Sequence, residues 1–423
     1  MTTGLPSGID EPPAPIYFDG NELRSAKYVA NGLTTARAES LDVTWSRLEP
    51  LLDDAGITRV ANVTGLDTVG IPVYTAIKPL GRTLASGSGK GTTADAARVG
   101  AAMEAWEQSV WEAQTLGHII ASEDELTEES RAFVRSASLP RRRNHLLTSR
   151  RRTHWTSGWD IVKHQSVLVP SLAVCVPHDM RGVWGGPLMS TNGLASGNSL
   201  LEAVCSGLLE VIERDASATH LPSSRPLNVE SLTNDLMMEL VARIERAGLT
   251  LELEDITSDT EVPVVTAVLH DHDNSSAGSF HGYGASLNSD VAVIRAITEA
   301  AQARTLIIAG SRDDIFGMER QAAVRIASLN RAPLPSVSTS LIEYQSRDES
   351  TPSFEGDMHA LLAKIQHLGF DRVIVIRHTT DSDPLQVVRV IVPGMRNNTF
   401  RGTDGFPEGP LGRVPRSDRH NES

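Results

Sequence analysis

The stretch SGNSLLEAVCSGLLEVIERDAS, residues 196–217, combines an apolar stripe with an acidic face on one predicted helix. Each helical residue advances by about 100°, so Glu202, Glu210 and Glu213 fall within an arc of roughly 80°. Glu210 and Glu213 are one turn apart and can hold a single cation, whereas Glu202 lies about 16 Å up the axis from Glu213 and would serve another ligand or a second metal. The apolar stripe opposite them consists of Leu201, Val204, Leu208, Val211 and Ile212.

Acidic side chains recur on two other predicted helices. In AAMEAWEQ, Glu104 and Glu107 stand one turn apart. A third helix, TEAAQAR, offers a similar set of polar side chains, Glu299, Gln302 and Arg304. Any one of these faces is explained by the solvated side of an amphipathic helix. Their repetition, with small residues just before each pair, favours a site that something approaches closely.

Cations accompany the clustered carboxylates. Carboxylates repel one another, and Mg²⁺ carrying a polyphosphate is the common way to relieve that repulsion. Lys90, Arg214 and Arg304 would supply positive charge for phosphate oxygens. The motif around Lys90, SGSGKGTT, is not a Walker A loop, because no Gly stands five residues before Gly89 and Gly91 replaces the Ser or Thr. The sequence therefore predicts a nucleotide site that is not a P-loop.

Length, charge and cysteine content narrow the class of protein. The 423 residues suffice for a large core, and the formal net charge of −14 argues against a protein that coats nucleic acid. Cys175 and Cys205 form no CxxC or zinc spacing and are expected to be buried free thiols. No signal peptide and no long apolar run is present. We expect a cytoplasmic protein that binds neither nucleic acid nor membrane.

Helical and strand patterns interleave along the chain, which predicts a mixed α/β or α+β domain. Residues 1–24 and 401–423 are expected to be flexible ends, and residues 25–400 form the folded domain. The predicted helices cover 94–114, 198–219, 230–247, 290–309 and 356–369. The predicted strands lie within 59–77, 166–176, 249–256, 262–271 and 371–394.

Two polar motifs are interpreted as structural. HDHD, residues 270–273, follows a predicted strand and is expected to be a polar turn and not a metal site. Gly284 in GYGAS is expected to mark a tight turn before a helix, because the dinucleotide fingerprint GxGxxG is incomplete there.

Several segments, in order along the chain, resemble the YcaO family, whose members use ATP to activate peptide backbone amides. The helix motifs that contain Glu104 and Glu210 are the most specific of them. The matching segments are GITRVANVTGLDTVGIPV (56–73), GKGTTADAARVGAAMEAWEQ (89–108), GWDIV (158–162), NGLASGNSLLEAVCSGLLEVIERD (192–215), GYGAS (282–286), AITEAAQAR (296–304) and VIVPG (390–394).

The resemblance implies a fold and a set of site residues. It implies β-sheets flanked by helices, with residues 25–400 as the catalytic domain, and ATP held through Mg²⁺ without a P-loop. It implies no Ser/His/Asp or Cys/His nucleophile. The metal-associated residues would be Glu104, Glu107, Glu202, Glu210 and Glu213. The residues near the nucleotide would be Lys90, Asn198, Arg214, Gln302 and Arg304.

This chain departs from the family pattern in two places. The first acidic helix of the family reads SxxxExxER, but Gly100 and Gln108 stand here in place of the Ser and the Arg, so contacts from those positions are not carried over. The PxPxP tail of many azoline-forming members is missing, since the tail prolines are spaced otherwise: Pro407, Pro410 and Pro415. The N-terminal match looks more like stand-alone members that pair with a TfuA-type protein.

The implied reaction is phosphorylation of a peptide amide oxygen by ATP. A sulfur nucleophile would give a thioamide, and this is the product that the resemblance favours. The alternatives are cyclodehydration of Cys, Ser or Thr to an azoline, and a non-catalytic accessory protein that binds a peptide or a partner. The implied partners are a peptide substrate and a TfuA-type protein or sulfur donor, and a homodimer is one alternative for the assembly.

Overall fold

The computed structural model describes residues 15–23, 37–142, 148–176, 190–219, 224–271, 279–310, 340–397 and 404–405. Within these residues the helices are α1 (Leu41–Leu48), α2 (Ala94–Glu112), α3 (Glu123–Glu128), α4 (Leu200–Thr219), α5 (Asp235–Arg246), α6 (Ser289–Ala309) and α7 (Phe354–His367). The strands are β1 (Ile16–Phe18), β2 (Asn21–Leu23), β3 (Arg59–Asn62), β4 (Val73–Ile77), β5 (Ser86–Lys90), β6 (Ile119–Ala121), β7 (Arg141–Arg142), β8 (Thr153–Asp160), β9 (Gln165–Pro170), β10 (Leu194–Gly197), β11 (Arg225–Asn228), β12 (Leu249–Asp255), β13 (Val264–Asp271), β14 (Ser279–Ala285), β15 (Ile342–Glu343), β16 (Ile374–Arg377), β17 (Gln386–Ile391) and β18 (Asp404–Gly405).

The described strands form three main sheets. One sheet has the order β10-β17-β16-β8-β6, with β9 also paired to β8. A second has the order β14-β13-β12-β11-β15, in which the β11–β15 pair is parallel. The third has the order β3-β4-β5. The mixed α/β fold with sheets flanked by helices is therefore confirmed.

Helix α4 packs on the first sheet through the predicted apolar stripe. Leu201, Leu208 and Ile212 are fully buried in one cluster with Val388 and Val390 of β17. The intervening residues of β17 face the other side of the sheet, where Val387 packs in the cluster formed by α2. The sheet thus lies between α4 and α2, and β10 is its edge strand.

Glycines allow α2 and α6 to lie directly on strands. A Cβ atom at Gly89 of β5 would stand 2.0 Å from the carbonyl oxygen of Ala97 in α2. A Cβ atom at Gly282 of β14 would stand 2.2 Å from that of Ala296 in α6. The expectation of a tight turn at Gly284 is wrong, because Gly284 is part of β14 and α6 leaves it no space for a side chain. Close approach, and not backbone conformation, requires these glycines.

The structure describes parts of both segments that are expected to be flexible ends. Residues 15–23 of the expected flexible segment form the β1-β2 hairpin, because Ile16 is buried and the Trp159 side chain donates a hydrogen bond to the Tyr17 carbonyl. Within the expected tail, the backbone of Asp404–Gly405 pairs with Arg141–Arg142. The remainder of both ends, 1–14, 24, 401–403 and 406–423, lies outside the described residues.

The HDHD motif is not a turn in its first half. His270 and Asp271 end β13, where cross-strand pairing with β12 continues to Asp271, and the other two positions lie outside the described residues. Both Cys175 and Cys205 are buried free thiols, as expected. None of the helices that the structure describes is long and apolar enough to cross a bilayer.

Candidate functional site

A cavity of about 1160 Å³ opens between α2, α4, α6 and strand β5. Carboxylates from all three helices line its wall, together with the backbone of β5 and part of β10. The carboxylates are Glu104 and Glu107 of α2, Glu210 and Glu213 of α4, and Glu299 of α6. The acidic faces recognised in the sequence therefore converge on one space.

The carboxylate of Glu104 is held by two neighbours. Its Oε2 atom accepts a hydrogen bond of 2.9 Å from the backbone N–H of Ser88 in β5. Its Oε1 atom accepts a hydrogen bond of 3.3 Å from the side-chain amide of Gln108. Gln108 is buried, so the residue that replaces the family's arginine orients a carboxylate of the site.

Burial raises the pKa of both Glu107 and Glu213. Desolvation raises the pKa of Glu107 well above its ordinary value, against a hydrogen bond from Ser196, and Glu210 and Glu104 raise it further. The pKa of Glu213 is also raised by burial, and then by the charge of Glu299. Both carboxyl groups would gain from a cation that replaces their proton.

Glu210 and Arg214 stand one turn apart on α4. Burial raises the pKa of Glu210 to about 7, with Glu213 and Glu299 adding to the rise and Arg214 opposing it. The Arg214 Nε atom lies 3.8 Å from Glu210 Oε1. Arg214 is partly exposed to the cavity, so its guanidinium can contact a bound anion as well as this carboxylate.

Glu299 differs from Glu107, Glu210 and Glu213 in the direction of its pKa shift. Burial opposes its ionisation, but Lys90 and Arg214 together hold the pKa of its carboxyl below the ordinary value. The Lys90 Nζ atom lies 2.5 Å from Glu299 Oε2. The sequence places Glu299 on a third predicted acidic helix, but Glu299 is not among the residues assigned to the metal. The recurrence of acidic helix faces is the signal that could have identified it. Gln302, one turn further along α6, also lines the cavity.

The residues fit a nucleotide that carries Mg²⁺. Among the described residues, no three carboxylate, imidazole or thiol side chains are grouped closely enough to form a metal site by themselves. Mg²⁺ is usually bound by one or two carboxylates, with phosphate oxygens and water completing the octahedron. Carboxylates arranged in pairs around a large open cavity, with Lys90 and Arg214 beside them, match that requirement.

Glu202 is not brought to the cavity wall. Its side chain is fully buried, and Oε1 accepts a hydrogen bond of 3.2 Å from Arg37. Its Oε2 atom accepts hydrogen bonds from the backbone N–H of Asn198, at 3.0 Å, and of Ala38, at 3.2 Å. Glu202 therefore fixes Asn198, which does line the cavity and whose Oδ1 accepts a bond from Thr44.

Arg304 points away from the cavity. Its Nε atom lies 3.1 Å from Asp67 Oδ1, and its Nη1 atom lies 2.9 Å from Asp271 Oδ2. The guanidinium also lies over the ring of Phe280. Arg304 lies on the side of α6 opposite Gln302, since residues two positions apart on a helix are separated by about 200° around its axis. Arg304 thus joins α6 to β13 and to the turn at Asp67, whereas the sequence placed it near the nucleotide.

Comparison with known proteins relates this geometry to one family. The family model described as "YcaO cyclodehydratase, ATP- and Mg²⁺-binding" matches residues 88–396. An uncharacterized protein of Rhizobium leguminosarum bv. trifolii, encoded in the tfuA 3′ region, is 34% identical over 373 residues, which cover 85% of this chain and 88% of the relative.

Solved structures show the same fold. YcaO from Methanopyrus kandleri, bound with AMPPCP and Mg²⁺, superposes with a TM-score of 0.69 and 27% identity, over 92% of this chain and all of that one (100%). A heterocyclase in complex with substrate and cofactor gives a TM-score of 0.72 at 19% identity and over 91% of this chain. The match covers 55% of the heterocyclase, so this chain spans about half of its length.

Proposed function

The chain belongs to the YcaO family, and we propose that it uses ATP and Mg²⁺ to phosphorylate the oxygen of a peptide backbone amide. One observation carries the proposal: carboxylates from α2, α4 and α6 meet in a single cavity, and burial has raised the pKa of three of them. A cluster of this kind favours divalent cations over protons when a polyphosphate accompanies the metal.

The side chains divide into metal-holding and phosphate-holding groups. One pair of carboxylates, Glu104 and Glu107, would hold Mg²⁺ on one side of the cavity. A second pair, Glu210 and Glu213, would do so on the other side, and Glu299 would stand beside them, paired with Lys90. Lys90 and Arg214 would contact phosphate oxygens, while Asn198 and Gln302 would donate hydrogen bonds to the nucleotide. Glu202 would contribute to the site only indirectly, because it holds Asn198 in place.

ATP supplies the phosphoryl group that turns the amide oxygen into a leaving group. The residues of the chain bind, orient and neutralise charge, and they provide no covalent nucleophile. Phosphoryl transfer depends chiefly on positioning and on cations near the transferring group. The paired carboxylates and Lys90 place both kinds of charge around one cavity.

Thioamide formation is the reaction we propose for this chain. The relative encoded in the tfuA 3′ region is matched over most of its length, which supports a stand-alone enzyme that acts with a TfuA-type protein or another sulfur donor on a peptide. Cyclodehydration to an azoline is the second candidate, and it is favoured by the description of the family as cyclodehydratases. A non-catalytic scaffold is disfavoured by the number of carboxylates that face the cavity.

The test is a reaction of the purified chain with ATP, Mg²⁺, sulfide and a candidate peptide. We expect release of ADP and phosphate together with the mass gain that replacement of one oxygen by sulfur gives. A mass loss of one water from the peptide would show that the reaction is cyclodehydration and not thioamidation. Absence of both nucleotide binding and turnover, with and without a TfuA-type protein, would overturn the proposal in favour of the scaffold.

A further inference from the structure

Arg389 is a buried cation with two unpaired donor atoms. It lies in the middle of β17 and is 4% exposed. Its Nε and Nη1 atoms are buried and have no hydrogen-bond acceptor among the described residues. Burial lowers the pKa of Arg389 to about 10, so the guanidinium remains charged at neutral pH. Buried donors that lack an acceptor are costly, which points to an anion that arrives from outside.

The groups around Arg389 do not supply that anion. Burial raises the pKa of the Cys175 thiol, and its Sγ atom donates to the carbonyl of Thr115 at 3.2 Å. Burial lowers the pKa of His378 to about 3, and the charge of Arg389 contributes to this, so the imidazole is neutral. Glu107 and Glu210 interact with Arg389 electrostatically, but neither accepts a hydrogen bond from its Nε or Nη1 atom.

A small pocket of about 40 Å³ lies beside Arg389. Asn192 lines the same pocket, and its Oδ1 atom is buried with no donor among the described residues. Ser190 and Asn397 complete the polar part, and they are fixed to each other by a hydrogen bond of 2.8 Å from Asn397 Nδ2 to Ser190 Oγ. The residues that line the pocket therefore carry two unused donors and one unused acceptor, and its volume suits about three water-sized groups.

We propose that this pocket binds the hydrosulfide anion, HS⁻. The sulfur atom would accept hydrogen bonds from Arg389, and the S–H group would donate to Asn192 Oδ1. A halide would satisfy the guanidinium but not the amide oxygen, which needs a donor. The assignment of HS⁻ in particular rests on the proposed thioamide function, because that reaction needs a sulfur nucleophile.

The pocket adjoins the large cavity. The segment that contains β10 lines both spaces: Ser190 and Asn192 face the small pocket, while Thr191 and Ser196 face the large one. Sulfide held there would form the new C–S bond at the amide carbon. The C–O bond then breaks as the oxygen leaves in phosphate, which also carries away the S–H proton as HPO₄²⁻. The atoms, protons and charge balance without an oxidant or reductant.

The experiment compares Arg389→Met and Arg389→Lys with wild type in the full chain. We expect the KM for sulfide to rise by about 10- to 100-fold in Arg389→Met, which corresponds to loss of a charge-assisted hydrogen bond. Arg389→Lys should restore part of the sulfide affinity, and the Kd for Mg²⁺·ATP is measured in both variants because the charge of Arg389 also acts on Glu107 and Glu210. Arg377→Met is the matched control, since Arg377 lies on the adjacent strand β16 and is bonded to Gln386 and Asp381.

Bromide provides a second probe that needs no turnover. We expect bromide to raise the KM for sulfide at constant ionic strength, and to give an anomalous diffraction peak beside Arg389 in crystals of the wild type but not of Arg389→Met. An unchanged KM for sulfide in Arg389→Met, or bromide that binds without competing with sulfide, would overturn the proposal. If the wild type makes no thioamide, the proposed function fails by itself, and the bromide peak still shows whether an anion site exists.

Discussion

The Nζ atom of Lys90 lies 2.5 Å from the Oε2 atom of Glu299, although 209 positions separate the two residues in the chain. This ion pair joins the end of β5 to the middle of α6 across the cavity. It holds the pKa of Glu299 below its ordinary value while burial raises the pKa of the carboxyl groups on α4. The cluster thus combines one carboxyl group whose pKa is lowered with others whose pKa is raised.

Replacement of Glu299 by Gln tests the residue that the sequence reasoning left unassigned. We expect Glu299→Gln to lower ATP turnover by about 100-fold, because a charge that stabilises bound Mg²⁺ is lost. The fold should persist, since the amide can still accept a hydrogen bond from Lys90. Steady-state kinetics of phosphate release measure the effect. Glu245→Gln, at an exposed position of α5, is the control, and equal activity of both variants would remove Glu299 from the site.

The acidic cluster predicts how the stability of the metal-free protein depends on pH. The pKa of Glu210 is about 7 in the folded chain against an ordinary value of 4.5, so the folded state binds the proton more tightly than the unfolded state. Its contribution to stability is complete at low pH and is lost as the pH rises through about 7. We expect the thermal unfolding midpoint without Mg²⁺ to fall between about pH 5 and pH 8.

Glu210→Gln should remove much of this pH dependence and abolish Mg²⁺-dependent turnover while the chain remains folded. Conversely, Mg²⁺·ATP should stabilise the wild type more at pH 8 than at pH 6, because binding displaces protons. Thermal unfolding with and without the nucleotide measures both effects. The same slope in wild type and Glu210→Gln would show that this carboxyl does not titrate as described.

Gly89 is predicted to be intolerant of any side chain. In Gly89→Ala the new Cβ atom would stand 2.0 Å from a backbone oxygen of α2, so the helix must move and the free energy of unfolding should fall by about 3 kcal/mol. In the control Gly100→Ala, the nearest atom is 3.6 Å away, and stability should be retained. Chemical denaturation of the two variants measures the difference, and equal stability would contradict direct packing of α2 on β5.

How far the sequence predicts this structure depends on the range of the interactions. Helices such as α4 and α6 follow from their own periodicity, and the predicted apolar stripe of α4 is buried as expected. Strand β5 was not predicted, because SGSGK has neither alternation nor β-branched residues. Its five residues pair with β4, and α2 covers its glycines. The helices can therefore be predicted from the local sequence pattern, whereas the glycine-rich strands depend on tertiary packing.

The same reasoning applies to the site. Four carboxylates on α2 and α4 could be selected from spacing alone, because residues one turn apart share a helix face. Glu202 and Arg304 carry the right charge, but each is engaged by residues distant in sequence, Arg37 in the first case and Asp67 in the second. Arg389 was missed altogether, since a buried arginine in an apolar strand has no local signature.

Arg304 is predicted to matter for stability and not for nucleotide binding. Arg304→Met leaves the Asp67 and Asp271 carboxylates without their common partner, and loss of a largely buried ion pair costs about 3 kcal/mol or more. The KM for ATP should be unchanged under conditions where the variant is folded. Denaturation curves and ATP kinetics separate the two effects. A raised KM with unchanged stability would return Arg304 to the nucleotide site.

The most direct measurement is anomalous diffraction from crystals grown with Mn²⁺ in place of Mg²⁺ and a non-hydrolysable ATP analogue. The account predicts manganese peaks inside the cavity, bound by carboxylate oxygens of Glu104, Glu107, Glu210, Glu213 or Glu299 and by phosphate oxygens of the analogue. The account would be contradicted if the analogue bound elsewhere, or if no manganese peak appeared in the cavity and none of these carboxylates contacted a metal.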